Sequence, residues 1–414
     1  MARAVARGTA VGYRVWVISE LYYPEDTSTG HYLTRIAEGL VEHHTVNVLC
    51  GQPTYSKRGL KVSSHEVRNG VRIQRLTGTV LNKDILPLRF LNVLTLCLSI
   101  FLRCLIQFRR KDAALVVTTP PLLPFVVALA CRIKGANCLL LIHDVFPDVL
   151  VAAGIFRRVG LAIHILEGLS RFLYRSVKRI VVLADDMAKL VARKMEGISK
   201  KISTIPNWAD LDLVSPAGRE GNALLKALGL QAKFILQYSG NLGRTHGLED
   251  ILAAAEMLRG QAEIQFLIIG SGAKRPWVEE QIRTKQLRNV TLLHRCLRAK
   301  LNISLNACDA AIVAYVPGMA GISVPSRMYN ILAAGKPLLA VAETGSELAR
   351  MVHDYGIGWL VPPREPARLV EAILQARADP ERLLLMAARA RALVENQYTF
   401  GDALHAYGRL LREL

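Results

Sequence analysis

Two glycine-bounded loops hold the residues most suited to chemistry. The first, Ser239-Gly240-Asn241-Leu242-Gly243-Arg244-Thr245-His246-Gly247, follows the apolar run Phe234–Tyr238 and precedes the amphipathic pattern of Leu248, Ile251, Leu252, Ala255 and Leu258. The second, Gly321-Ile322-Ser323-Val324-Pro325-Ser326-Arg327, opens a small-residue helix that ends at Gly335 and hands over to the strand Leu338–Ala342. Pro325-Ser326 reads as a helix start with Ser326 as its cap. A helix start beyond a strand leaves N–H groups unpaired and favours negative charge, so both loops suit a phosphate. Arg244 adds a planar guanidinium fork that can bind phosphate oxygens in pairs. A third candidate is His143-Asp144, between the strand Cys138–Ile142 and Phe146-Pro147, with Asp148 beyond it. An imidazole and a carboxylate at a strand end could touch the reacting groups of a substrate and act on a proton, without the sequence choosing between them.

Asp210-Leu211-Asp212 has the letters of a metal-binding D-x-D motif, but it follows Pro206-Asn207 in a stretch of turn residues and reads as linker. No metal site is expected. The seven cysteines show no C-x-x-C pair and mostly lie in apolar runs, as buried thiols of a reducing compartment do.

The elements that must position these residues alternate strand and helix along the whole chain. Strands are expected at Arg14–Ser19, Val46–Cys50, Val71–Leu76, Leu115–Thr118, Cys138–His143, Arg179–Leu183 and Ile202–Ile205, then at Phe234–Ser239, Ile264–Gly270, Val290–Leu293, Ala310–Ala314, Leu338–Ala342 and Gly358–Val361. Continuous Val/Ile/Leu strands separated by helices imply parallel sheets covered on both faces. At 414 residues, two such domains are expected, facing each other across a cleft at their carboxyl edges. The expected boundaries are 1–210, 211–390, and a terminal helical segment, 391–414, packing back on the first domain.

Charge is uneven. The formal net charge is +19; residues 1–207 carry 29 Lys and Arg against 14 Asp and Glu, and the remainder is close to balanced. A basic first half could face nucleic acid, an anionic membrane or a phosphorylated substrate. No zinc finger, RNP aromatic signature or heptad-linked basic region is present, so nucleic acid is not expected as a partner. The tail Met1–Ala10 is too polar for a signal core. The stretch Phe90–Phe108 is apolar but contains Arg103, which disfavours a full crossing. Two readings stay open for it: an in-plane membrane helix within 85–111, flanked by Arg89 and Arg109-Arg110-Lys111, or a buried core helix.

With these elements in place, the chain resembles the retaining glycosyltransferases of family 4, and most closely the bacterial enzymes that transfer deoxy or amino sugars in O-antigen, capsule or exopolysaccharide assembly. The resemblance rests on Tyr22-Tyr23-Pro24-Glu25 with Gly30 and Arg35, Gly51–Tyr55, His143–Asp148, Ile205–Asp210, Ser239–Gly247, Gly270-Ser271-Gly272 and Pro325–Pro337. It implies the GT-B fold, an α/β architecture of two doubly wound Rossmann-like domains. It also implies a nucleotide-sugar donor, UDP- or GDP-linked, as substrate with no cofactor, a polyprenyl-diphosphate-linked glycan acceptor, and a place at the cytoplasmic face of the cell membrane. The implied donor contacts are Gly30, Gly240, Asn241, Arg244, His246, Gly272, Ser323, Ser326, Arg327 and Asn330. The chain departs from the family where a diphosphate-binding Arg and Lys are usual, having Asn241 and His246, with Arg244 as the expected replacement. It departs again where the family's paired glutamates fall, on Ile322 and Asn330. Nucleotide-sugar 2-epimerases share this architecture, so an isomerase and a non-catalytic nucleotide-sugar-binding partner are the alternatives.

Overall fold

The structure, a computed structural model, describes residues 13–53, 62–81 and 85–414, without the side chain of Leu86. The tail Met1–Ala10 and Thr54-Tyr55 lie outside the described residues. In the first half β1 (Arg14–Ser19), β2 (Thr45–Gly51), β3 (His65–Arg68), β4 (Val71–Leu76), β5 (Ala113–Val117), β6 (Asn137–Leu141), β7 (Arg179–Val182) and β8 (Ile202–Thr204) form one sheet in the order β3-β4-β2-β1-β5-β6-β7-β8. In the second half β9 (Phe234–Asn241), β10 (Ile264–Ser271), β11 (Val290–Leu293), β12 (Ala310–Ala314), β13 (Leu338–Val341) and β14 (Gly358–Val361) run β11-β10-β9-β12-β13-β14. Every pairing is parallel except β3 with β4. Burial explains the apolar runs: each residue of β5 and of β12 is buried, since helices cover both faces.

Strand order reverses at β1 in the first sheet and at β9 in the second, and ligands of open α/β sheets bind outside the carboxyl ends at such switch points. The loop after β9 and the loop after β12 therefore border one crevice. They are stitched together where Gly247 N–H donates to Ala314 O (3.3 Å) and Val316 N–H to Thr245 O (3.1 Å).

A linker after β8 joins the halves. Trp208 is buried within it, edge-on to Tyr32 at 4.8 Å between ring centres and 5.2 Å from Phe400. The Tyr32 hydroxyl donates to Trp208 O at 3.0 Å. The helix that crosses back to the first half is Phe400–Arg412, which packs on helix Ser28–Leu40. This corrects the expected start at 391: residues 391–397 continue helix Pro380–Gln397, which packs on Arg327–Ala333 and Glu347–Tyr355 of the second half. The chain turns only after Tyr398, where Thr399 caps the new helix by accepting from Asp402 N–H.

Helix Leu86–Gln107 has two apolar sides. Leu96, Cys97, Ile100 and Cys104 are buried against the first sheet, whereas Phe90, Leu94, Leu98, Leu102 and Ile106 are exposed. Its length and composition would allow a crossing over Pro87–Gln107, but one side is sealed by the core, so it lies along the domain surface.

Gly240 and Gly270, each next to last in its strand, are register partners in the pairing of β9 with β10. A methyl group on Gly270 would stand 2.1 Å from Gly240 O, while one on Gly260 would meet nothing within 4 Å. Gly270→Ala is therefore expected to cost at least about 2 kcal/mol and Gly260→Ala less than about 0.5, as measured by urea unfolding of both variants. Equal stabilities would refute the close approach.

Candidate active site

The second half's side of the cleft is built on Arg327, the first residue of helix Arg327–Ala333. Its guanidinium Nη1 donates to the Tyr238 hydroxyl at 2.7 Å, and the group lies 4.4 Å from the centre of the Tyr238 ring. Nη2 is 3.5 Å from His246 Nδ1, and Nε is buried without a partner among the described residues. Gly240, at φ 155°, makes this placement possible: a Cβ there would stand 2.7 Å from Arg327 Nη1. The imidazole of His246 stacks on Tyr315 at 5.7 Å with planes 13° apart. Burial, aided by the Arg327 charge, holds its pKa well below the usual histidine range. It is thus neutral at pH 7, and the site's positive charge comes from arginine.

The facing edge belongs to the loop after β6. The His143 backbone N–H donates to Thr118 Oγ1 at 3.3 Å, and its Nδ1 lies 3.3 Å from Thr29 Oγ1. Its Nε2 is buried without a partner among the described residues, and burial lowers its pKa to about 4. Burial raises the pKa of Asp144 to about 6. Asp148 is ion-paired with Lys194 at 2.5 Å, which directs it to structure.

The two edges meet directly. Asp144 and Ser323 form an antiparallel bridge, and Val145 N–H donates to Ile322 O at 2.9 Å. Ser28 Oγ lies 2.7 Å from Ser326 Oγ. Asp186, from the first half, accepts from Gly321 N–H and Glu347 N–H of the second, both at 2.9 Å. Glu343 holds the same loop by accepting from Gly318 and Ala320 N–H at 3.0 Å each.

Most of the expected residues gather here, in several cases with altered partners. Gly30 sits in the first turn of helix Ser28–Leu40, its N–H held by Thr27 Oγ1 at 3.1 Å, beside the Ser28 and Thr29 contacts just described. Asn241 lies between Gly243 and Gly272, where a Cβ would meet its side-chain amide at 2.7 and 2.6 Å respectively. Ser323 Oγ is 3.2 Å from the Tyr315 hydroxyl. Ser326 makes no side-chain cap; its hydroxyl is turned to Ser28 across the cleft. Asn330 is engaged by the linker, its Oδ1 accepting from Asp210 N–H at 2.8 Å. Arg244 is exposed on the loop and has no hydrogen bond or ion pair among the described residues, so the guanidinium that the fold holds in place is that of Arg327. Asp210 is engaged by His31 Nε2 at 3.0 Å and by Arg298. Tyr238, Tyr315, Ser28, Thr29 and Asp186 were not legible as site residues; only the position of Tyr238, two before Gly240 at a strand end, could have drawn notice.

Comparison with known proteins agrees with this geometry. Residues 224–393 match the family described as Glycosyl transferases group 1, and residues 28–208 match the Glycosyl transferase 4-like domain. WbjE of Pseudomonas aeruginosa is 30% identical over 404 residues, covering 97% of this chain and 98% of its own. WcaI of Escherichia coli K12 is 27% identical over 374 residues, covering 87% and 91%. Both bear the name of glycosyltransferase by assignment. Among solved structures, HepE of Anabaena in complex with UDP and glucose superposes with a TM-score of 0.75 at 15% identity, over 97% of this chain and all of its own. The chain belongs to the glycosyltransferases of GT-B fold, and it is an enzyme of that class.

Two outcomes follow from the site. Arg327→Ala should lower kcat/KM about a hundredfold, near 3 kcal/mol, and Arg244→Ala clearly less; steady-state rates at subsaturating donor decide, and the reverse ranking would refute the assignment. Asp144 has a folded pKa above its unfolded value, so ionising it costs more in the folded protein. The cost is absent below about pH 4 and grows as pH rises through about 6. Asp144→Asn should therefore raise the melting temperature at pH 8 and leave it unchanged at pH 4, while abolishing transfer; an unchanged melting temperature at pH 8 would contradict the buried carboxylate.

Proposed function

We propose that this enzyme transfers a sugar from a nucleotide-sugar donor to a lipid-linked glycan, with retention of configuration, in the assembly of a bacterial surface polysaccharide. The observation that carries this reading is the meeting, at one seam, of an arginine held at the second sheet's switch point and an imidazole whose Nε2 has no partner among the described residues, with an adjacent carboxylate, at the first sheet's edge. HepE binds UDP and UDP-glucose on the same fold, and WcaI is assigned to colanic acid biosynthesis, which support a nucleotide-linked donor and a surface glycan.

In the proposed reaction the bond from the sugar's anomeric carbon to the diphosphate oxygen breaks, and a bond to the acceptor oxygen forms on the same face. Negative charge grows on the departing diphosphate, where Arg327 and the N–H groups of the Gly243–Gly247 turn stabilise it. The acceptor's proton passes to a departing phosphate oxygen, so no protein base is required, and direct attack on the same face requires no protein nucleophile. His143, neutral because its pKa lies near 4, and Asp144 orient the sugar from the facing edge. The lipid-linked acceptor places the enzyme at the cytoplasmic face of the membrane.

A panel of UDP- and GDP-sugars followed by thermal shift tests the donor. Binding to the folded state alone stabilises by about 2.7 kcal/mol at a hundredfold excess over Kd. One nucleotide class should raise the melting temperature and then support transfer to a lipid-linked glycan; isomerised donor without transfer would favour an epimerase. Among the described residues no cluster of three His, Cys, Asp or Glu is placed to hold a metal, and Asp210 is engaged by His31 and Arg298. Transfer should therefore persist in EDTA. Loss of activity restored by magnesium or manganese would overturn that expectation.

A further inference from the structure

The exposed apolar side of helix Leu86–Gln107 continues across two neighbours. Helix Leu123–Lys134 packs against it and also against helix Leu161–Ser176, so the three lie side by side on the first domain. Each turns an apolar stripe outward at helical spacing. The first helix presents Phe90, Leu94, Leu98, Leu102 and Ile106; the middle one presents Leu129 and Ile133; the third presents Leu161, Ile165, Leu169 and Phe172. Exposure reaches 73% at Ile106, 79% at Leu161 and 60% at Phe172. The loop before the third helix adds Ile155, Phe156 and Val159. Scattered exposed leucines are ordinary, but stripes on three adjacent helices form one contiguous apolar face, which marks an interaction surface.

Charge selects the occupant. The three helices contain one acid, Glu167, which is paired with Arg171 at 3.6 Å. Exposed cations border the face at both ends: Arg157 and Arg158 precede the third helix, while Arg109, Arg110, Arg132 and Arg175 lie at or just beyond the three C-terminal ends. A second copy of the chain would bring the same cations against themselves. An anionic bilayer instead accepts apolar side chains below its headgroups and pairs the cations with them.

We propose that these three helices form a monotopic docking face by which the first domain lies flat on an anionic lipid bilayer, with the third helix as essential as the first. The inference rests on the reading of a lipid-linked acceptor and deepens it. The helices run along the sheet, so with this face on the bilayer the carboxyl edge bearing His143 and Asp144 opens sideways along the headgroups. A lipid-borne diphosphate sugar would reach the cleft there without leaving the membrane.

Flotation of the full chain with vesicles of phosphatidylethanolamine and phosphatidylglycerol tests the face, with all-phosphatidylcholine vesicles as the control. Ile165→Gln combined with Phe172→Gln alters only exposed positions of the third helix, and Leu98→Gln with Leu102→Gln those of the first. Each pair should weaken binding to the anionic vesicles at least about tenfold and leave the nucleotide-induced thermal shift unchanged. Wild-type binding by the third-helix pair would overturn the three-helix face. A vesicle-free wild-type dimer that either pair dissolves, seen by sedimentation velocity, would overturn it in favour of self-association. Transfer to a soluble acceptor by a protein that never floats would defeat this face alone, whereas flotation without nucleotide-sugar binding would defeat the transferase reading and spare the face.

Discussion

The close contact between Gly240 and Arg327 is the constraint on which the site depends. Only a residue without a Cβ leaves room for the guanidinium above the end of β9, and the same strand end abuts Gly270 of β10. Two backbones and a cation therefore converge at the switch point of the second sheet. Tyr238 fixes the cation from below, and the His246 imidazole, kept neutral by burial, fills the flank without adding charge. A single guanidinium preorganised in this way needs no reorganisation when charge develops on a leaving group.

A second consequence concerns the union of the halves. Backbone pairing of Asp144 with Ser323 places the first domain's carboxylate one short loop from the helix that begins at Arg327. Asp186 reinforces the seam by satisfying two N–H groups that would otherwise be orphaned, one at the start of helix Glu347–Tyr355. The linker repeats the arrangement on the other side, where Asp210 receives His31 and Arg298 from opposite domains and its N–H is held by Asn330. Polar contacts that cross between domains thus surround the reacting centre, and movement of one half is coupled to the position of Arg327.

The sheets were legible because buried parallel strands must be continuously apolar, as β5 and β12 are. The edge strand β3, His65–Arg68, was not, since its residues alternate between exposed and half-buried and present no apolar run. Both loops that border the crevice were legible from glycine and proline placement. Choosing among the loop cations was not, because Arg244 and Arg327 differ in nothing that composition or spacing reveals; the packing of Tyr238 against one of them decides. Asn330 was read as a ligand because it stands where a glutamate is usual, yet the linker, distant by 120 residues in sequence, takes its oxygen. Of the two open readings of helix Leu86–Gln107, the core helix describes its buried side, and the exposed apolar stripe is what the membrane proposal rests on.

In the proposed reaction Arg327 holds the distal phosphate of the donor's diphosphate. Titration calorimetry with nucleoside diphosphate against the matching monophosphate, for uridine and for guanosine, tests it most directly. The account predicts that the bound nucleotide's diphosphate associates at least about tenfold more tightly than its monophosphate, and that Arg327→Ala removes this preference while leaving monophosphate affinity in place. A preference that survives the substitution would contradict the account.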